Sequence, residues 1–555
     1  MPRRGRSLAA RWRAFPILIL ALALWPAAAA CDADREAAEP SGPLTAAVPQ
    51  AWLEEYRPAL SGLEVLAVED PAAARAAVER GEADLALTWL GPGEGGDAPV
   101  FRQDPVAVVA PLTLRLEELT AAEVAAAVAG GTVRALGGPA AVQVWDAAAA
   151  RLLWPEAAVR TAPAAEILAA VSSRAAALGV VPWDGPYLRA KALRVDGRAP
   201  GAEGYPLVLR RAVVRRDGAD GGTAADLAAA LREHRPAEPA RVTLAAVGDV
   251  MLGRTIGQAM ERHGTAYPYA HVAPVLQRAD VAFGNLEVAL TDGGSPANKD
   301  YVFRAPPSYA ASLAAAGFDV LALANNHALD YGVAGITDGA AALRAQGILP
   351  VGAGMSEAEA RRPVVAEVHG LRIAFLACVA VPDDSGSGYG RAQMAAGPSR
   401  PGVAWCEPEQ VAQDVWAARA AADVVVLSMH AGFEYTESPN QIQRSVARAA
   451  IDAGAALVLG GHPHVLQGVE YYGRGVIIYS LGNFIFDVDD ADRAQPGLPS
   501  LLSVIFLVTL DRDGVRGVEF VPVVHSQAEN RPVLAEGTDA ARVLERLYRL
   551  TDALN

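Results

Sequence analysis

The chain has 555 residues, 52% of them hydrophobic, and a formal net charge of -15. That length exceeds what one hydrophobic core supports, and the composition is too apolar for a disordered chain, so at least two folded domains are expected. The acidic balance argues against nucleic acid as a partner, since tracking phosphates needs a basic excess, but it leaves room for small anions held by a few local cations or metal ions.

Residues 1–31 read as a signal peptide. Arg3, Arg4, Arg6, Arg11 and Arg13 precede the apolar run Phe15–Trp25, too short for a comfortable membrane span, and then Ala27-Ala28-Ala29-Ala30-Cys31. Small residues before a cysteine resemble a bacterial lipobox, which would make Cys31 a lipidated N-terminus and a membrane anchor. Ala28 stands where that pattern has a larger aliphatic residue, so ordinary signal-peptidase cleavage stays open. Either route predicts an extracytoplasmic protein, anchored or secreted. The other cysteines are Cys378 and Cys406; spacing leaves their pairing open, and neither has the C-x-x-C partner of a thiolate zinc site.

From 41 to 234 short apolar runs alternate with helix-like stretches. Leu63–Val68, Ala83–Leu87 and Val106–Ala110 read as strands, Pro71–Arg80 and Leu116–Ala129 as amphipathic helices. This alternation predicts an α/β domain with a largely parallel sheet. The succession PVAVVAPLTLRLEELTAAEVAAAVAGG, ALGVVPWDG, KALRVDG and GYPLVLRR resembles the type II periplasmic solute-binding fold, in its phosphate-binding-like branch. The resemblance implies an N-terminal periplasmic-binding-protein-like α/β domain. A degenerate scaffold or partner-docking module is an equal alternative to an active binder.

Residues 235–240 contain Pro236 and Pro239 and read as a linker. From 241 to 555 an apolar run is repeatedly followed by polar residues suited to metal or phosphate. Val242–Val247 leads into Asp249, Val281–Phe283 into Asn285 and Glu287, and Val320–Leu323 into Asn325, Asn326, His327 and Asp330. Val424–Leu427 leads into His430 and Glu434, Ala456–Leu459 into His462 and His464, and Val476–Tyr479 into Ser480 and Asn483. Loops at the carboxyl ends of such strands converge on ligands, so the six define one rim. If the H-x-H segment is extended, both imidazoles point the same way. Helices are expected over Ser308–Ala316, Ile336–Gln346, Pro408–Ala422 and Gln441–Ala453, with Gly317, Gly347 and Gly454 near their ends. A strand hairpin turns at Asp511-Arg512-Asp513-Gly514, and an amphipathic helix follows Gly537.

Asp249, Glu287, Asn326, His430, His462 and His464 supply carboxylate, amide and imidazole ligands for one or two divalent ions; zinc, manganese and iron all suit the set. Seven motifs in order, GDVMLGR, GNLE, KDYVFRAPP, ANNHALDYG, SMHAGFEY, GGHPHVLQGVE and YSLGNFIFD, resemble the bacterial CapA family of poly-γ-glutamate capsule synthesis proteins, with a metallophosphoesterase-like α/β sandwich. By that resemblance Asp249 binds the first ion with His464, Glu287 bridges, and Asn326, His430 and His462 hold the second. His327 is implied as proton donor or oxyanion stabiliser. Met251 stands where the phosphoesterase pattern has a histidine, which leaves the first position short of a ligand.

Arg254, Lys299 and Arg304 are candidate substrate-binding cations, with surface salt bridges as the plain alternative. Asn483 could line the floor, and Glu434 could act as general acid or base or orient His430. Two functions remain. One is a metal-dependent hydrolase or transferase acting on an anionic envelope polymer or phosphoester, with other capsule synthesis proteins as partners. The other is a non-catalytic polymer- or solute-binding accessory protein.

Overall fold

The computed structural model describes residues 43–554 apart from 131, 134–135, 137, 140–141, 174–176, 184, 186, 188, 235–239, 384–386, 488–491 and 493–494. The signal segment with Cys31 and nearly all of the linker lie outside the described residues. Among the described residues no helix is long and apolar enough to cross a membrane.

The first half is a nine-stranded sheet drawing only on residues 45–215. Thr45–Pro49 pairs in parallel with Glu64–Val68 and Leu85–Leu90 at one end, and Leu178–Pro182, Val142–Val144 and Arg160–Thr161 run parallel at the other. Between them Val208–Arg215 and Val100–Pro111 make antiparallel pairs with both neighbours. The sheet is therefore mixed rather than largely parallel. These two long strands carry the chain between the parallel groups, and a strand entering from the opposite side pairs antiparallel; hydrophobic runs do not record that direction.

Local chemistry sets the helix starts. Asp70 accepts the Ala73 N–H at 2.7 Å and Pro71 takes the first position of Pro71–Glu79. The helix expected from Leu116 begins only at Ala121, because Thr120 and Glu123 form a capping box while Glu118–Leu119 pairs with Arg194–Val195. A cleft of about 210 Å³ separates Pro71–Glu79 from Ala147–Leu153, lined by Thr88, Trp89 and Arg151.

The second half is two facing sheets. The eight-stranded one includes Leu349–Val351, Val320–Ala322, Val281–Leu286 and Val242–Val250 in parallel, followed by the antiparallel Leu502–Asp511, Gly514–Ser526 and Arg531–Leu534. The six-stranded one has Leu371–Ala380, Val424–Ala431, Leu457–Gly461 and Gly475–Ile478 in parallel, edged by Val364–Val368 and Val469–Tyr472. Alternate residues of both sheets meet in one core, where Phe283 and Phe375 stack at 6.0 Å. Helices cover the outer faces: Arg254–His263, Ala310–Ala316 and Val333–Ala345 on the first sheet, Pro408–Ala418 and Gln441–Asp452 on the second. The protein is α/β throughout. Cys378 and Cys406 form a disulfide with Cα atoms 5.1 Å apart.

Candidate metal centre

Three parallel strands of each sheet in the second half end at a shared rim, and their terminal residues form one buried cluster. Asp249 and Glu287 have no exposed surface, and His430, His462 and His464 are buried with them. Asn285 stands at the centre of this group: its Nδ2 donates to Asp249 Oδ1 at 2.8 Å and to Glu287 Oε2 at 3.3 Å, and lies 3.2 Å from His430 Nδ1. Asn325 Nδ2 in turn donates to Asn285 Oδ1 at 3.0 Å. The sequence puts Asn285 and Asn325 on rim loops but assigns neither a role. The available signal was strand alternation, which places residues 285 and 287 on one face.

Glycines let the two sheets approach. The chain leaves the six-stranded sheet at Ile478 and joins the other through Asn483, which is paired with Asp249. A Cβ at Gly248 would lie 1.8 Å from the Gly482 carbonyl oxygen, and one at Gly460 would lie 1.9 Å from that of Tyr479. Gly461 faces the cluster itself: a Cβ there would come within 2.9 Å of Asp249 Oδ1 and 3.2 Å of His430 Nδ1.

The H-x-H pair converges differently from the expected extended segment. The strand ends at Gly461, and His462 and His464 take φ values of 91° and 56°. Their ring centroids are 6.0 Å apart. Left-handed backbone in non-glycine residues is uncommon and costly, and it persists where surroundings fix it. Here a left-handed turn, rather than an extended segment, brings both rings into the buried cluster.

Glu287 Oε1 is buried without a hydrogen-bond partner, and three imidazole nitrogens surround it beyond bonding reach: His430 Nε2 at 3.7 Å, His327 Nε2 at 3.9 Å and His464 Nε2 at 3.9 Å. His462 Nδ1 is also buried and unpartnered. Donor atoms spaced this way fit neighbouring ligands of an ion, each about 2.0–2.2 Å from it. Asn326 Oδ1 and His430 Nε2, 2.8 Å apart, suit the same purpose. The set of carboxylate, amide and imidazole donors therefore fits a divalent cation.

Burial, then repulsion from Asp249, pushes the Glu287 carboxyl well above its ordinary range. Burial holds His430 and His462 well below theirs, so both are neutral and can offer lone pairs. Burial also opposes the charge on His464, but Glu287 and Asp249 outweigh it and lift the ring to about 10. Two buried acids balanced by one cationic imidazole are an arrangement that a metal ion would relieve.

His327 stacks on Phe303 at 4.0 Å and its Nδ1 lies 2.6 Å from Asp330 Oδ2. Burial lowers it to about 4, so the ring is neutral. With Nδ1 turned to Asp330, its Nε2 faces Glu287 Oε1 at 3.9 Å. Lys299 Nζ bonds Asp330 Oδ1 at 2.9 Å and the Asn326 carbonyl at 2.8 Å. It is a buried prop for this loop and not a rim cation.

Arg254 lies 3.1 Å from buried Asp487 and over the Phe303 ring, so its charge is engaged. Arg304 is exposed, with its guanidinium over Tyr331 at 4.5 Å. Asn483 Oδ1 accepts from His464 Nδ1 at 2.8 Å, which leaves Nε2 facing Glu287. Glu434 is exposed, yet its carboxylate lies with the nitrogens of His462 and His464 inside a 4.8 Å spread. Asp249, Glu287 and His464 form a second such group. The Met251 thioether, wholly buried, accepts the Gly253 N–H at 3.0 Å and contributes nothing to the cluster.

Residues 243–488 match the family model described as bacterial capsule synthesis protein. The chain is 33% identical over 330 residues to the capsule biosynthesis protein CapA of Bacillus anthracis, covering 58% of this chain and 75% of that one. The chain belongs to the CapA family of bacterial capsule synthesis proteins. Further CapA-family similarity is to the PGA biosynthesis protein CapA of Bacillus subtilis, 34% over 306 residues, covering 55% of this chain and 77% of that one. A probable polyglutamine synthesis accessory protein of Mycobacterium tuberculosis is 31% identical over 317 residues, covering 49% and 81%. Among solved structures, an ABC-type phosphate transport receptor from Vibrio cholerae is similar at 15% identity and a TM-score of 0.29, covering 34% of this chain and 93% of that one. A hypothetical protein from Thermus thermophilus is similar at 16% and 0.31, covering 50% and 98%.

Proposed function

We propose that this CapA-family protein acts in capsule or poly-γ-glutamate synthesis or export, and that its second half is a divalent-metal-dependent hydrolase or transferase for an anionic envelope polymer or phosphoester. The observation that carries the metal is the ring of three imidazole nitrogens around the unpartnered Glu287 Oε1. Asp249, Glu287 and His464 would hold one ion, and Asn326, His430 and His462 another. Bound there, such ions act as Lewis acids toward an ester, phosphoester or amide oxygen. The chain's own residues do the rest. Asn285 fixes the two carboxylates, Asn483 fixes the His464 tautomer, and Asp330 with Lys299 holds His327 so that Nε2 can take a proton at the centre. Arg304, exposed with its guanidinium over Tyr331, is a cation suited to a carboxylate or phosphate of the substrate.

The names of the relatives support capsule and poly-glutamate synthesis as the setting, with other synthesis proteins as partners. We read the protein as extracytoplasmic, with Cys31 as a lipid anchor. The signal-like N-terminus supports this, as does the Cys378–Cys406 disulfide, since disulfides persist in oxidising compartments. A non-catalytic accessory role is the second reading. Met251, buried where a ligand is wanted, favours it.

Elemental analysis of the purified protein, alongside a His430→Ala/His462→Ala variant, tests the proposal. Wild type should carry a divalent metal that the double variant loses, with turnover on a panel of phosphoesters or γ-glutamyl peptides. Equal metal content in both proteins would refute the centre, and bound metal without turnover would favour the accessory role.

A further inference from the structure

The exposed acid Glu434 does something its exposure does not suggest. It makes no side-chain hydrogen bond or ion pair among the described residues, although its carboxylate stands beside two buried imidazoles. Its loop is fastened to the loop carrying them: the Tyr435 N–H donates to the Pro463 carbonyl at 2.8 Å, and Gln467 Nε2 donates to the Thr436 carbonyl at 2.7 Å. Underneath, Gly432 at φ 120° lies so close to Gln443 that a Cβ would meet its side chain at 2.7 Å. Glu434 is thus held over His462 and His464 by the fold.

The Glu434–His462–His464 triangle is open, with no bond across it, and its donor atoms lie within 4.8 Å of one another. Ligands each about 2.1 Å from an ion stand at most roughly 4.2 Å apart, so a small movement of one exposed side chain closes the triangle on a cation. At one corner, His462 has its Nδ1 buried without a partner. His464 also belongs to the inner Asp249–Glu287–His464 group, and its Nδ1 is committed to Asn483, so Nε2, once an ion displaces its proton, is the one nitrogen left to share between the two. His464 is therefore common to both groups. Met251, meanwhile, spends its thioether on Gly253 and leaves that ion a ligand short.

We propose that Glu434 is a metal ligand, completing from the rim, beside His464, the coordination that the Met251 position does not supply. This rests on the reading of the cluster as a metal centre. It gives Glu434 a role distinct from general acid or base, and it makes the outer ligand the one that a bound substrate carboxylate or phosphate would be able to displace.

The test uses the full-length protein, stripped of metal and titrated with Co²⁺, following visible absorption and calorimetric heat in parallel. Glu434→Gln keeps shape and removes the anionic ligand. It should weaken Co²⁺ binding at one position by more than about tenfold and change the absorption of the bound ion. Phe433→Ala, an exposed neighbour outside the cluster, should change neither. Matching unfolding curves for the metal-free proteins rule out misfolding as the cause. Co²⁺ binding by wild type with an unaltered affinity and spectrum in Glu434→Gln overturns this inference alone. No Co²⁺ binding by wild type overturns the metal centre and this inference with it.

Discussion

Asp330 has no exposed surface, and its two oxygens divide between Lys299 Nζ at 2.9 Å and His327 Nδ1 at 2.6 Å. Removing one partner of a buried ion pair leaves a desolvated charge uncompensated. Lys299→Met should therefore lower stability by about 3–5 kcal/mol, measured by urea unfolding at pH 7. Retention of wild-type stability would mean that Asp330 is neutral or hydrated in the folded protein. At this scale the sequence was legible where residue type alone carries the chemistry. Asp249, Glu287, Asn326, His430, His462 and His464 were selected as donors, and the fold brings them together. It was least legible for charge. Lys299 and Arg254 looked like rim cations because their partners, Asp330 and Asp487, are remote in sequence and no spacing rule pairs them. Asn285 was passed over because an amide is a weak signal until its neighbours are known.

Strand and helix order in the second half could be read closely from apolar runs and their punctuation. The hairpin at Asp511–Gly514 and the helix Gly537–Asp552 lie where they were expected. Strand direction in the first half could not, since a strand buried on both faces reads alike in either direction. Nor could the left-handed turns at His462 and His464, which are fixed by contacts across both sheets. The strand Gly514–Ser526 carries a consequence for acid stability. His525, opposite Pro532, has both ring nitrogens buried without partners and lines a cavity of about 580 Å³ with Asp539 and Arg542. Burial lowers it to about 4. In the unfolded chain the ring takes up its proton near pH 6.5, so between 6.5 and about 4 the unfolded state binds a proton that the folded state does not. The stabilisation is complete above pH 6.5 and lost as pH falls toward 4. Such a shift is worth about 3 kcal/mol in full, and partial exposure reduces it to about 1–2 kcal/mol. His525→Leu should lose that much less stability than wild type between pH 7 and pH 5 in paired denaturation curves. An identical acid response in the two proteins would exclude His525 as a contributor.

The two halves share no sheet, yet they touch through a compact set of side chains. Arg189 donates to the Tyr471 carbonyl at 3.0 Å and lies over its ring, and Arg115 pairs with Glu545 at 2.7 Å. Lys191, paired with Glu117, sits over the Tyr548 ring at 4.8 Å, while the Tyr548 hydroxyl donates to Glu117 at 3.1 Å. Burial lowers the Lys191 amine, although Glu117 opposes that shift. Tyr548 thus joins the helix Gly537–Asp552 to the first half. Tyr548→Ala should split a joint calorimetric transition into two and speed proteolysis of the first half. A single transition unchanged from wild type would mean that the halves are held elsewhere.

The same helix reaches the H-x-H side of the molecule: Thr551 Oγ1 accepts the Val469 N–H at 3.1 Å, and a Cβ on Gly468 would lie 2.3 Å from the Leu550 carbonyl. Glu117 and Tyr548 are 431 residues apart in the chain. Chain closure over such a distance comes late in folding, after local units have formed. The first half must therefore wait, already folded, for a docking surface made hundreds of residues after it, and throughout that interval Lys191 and Glu117 have only each other and water.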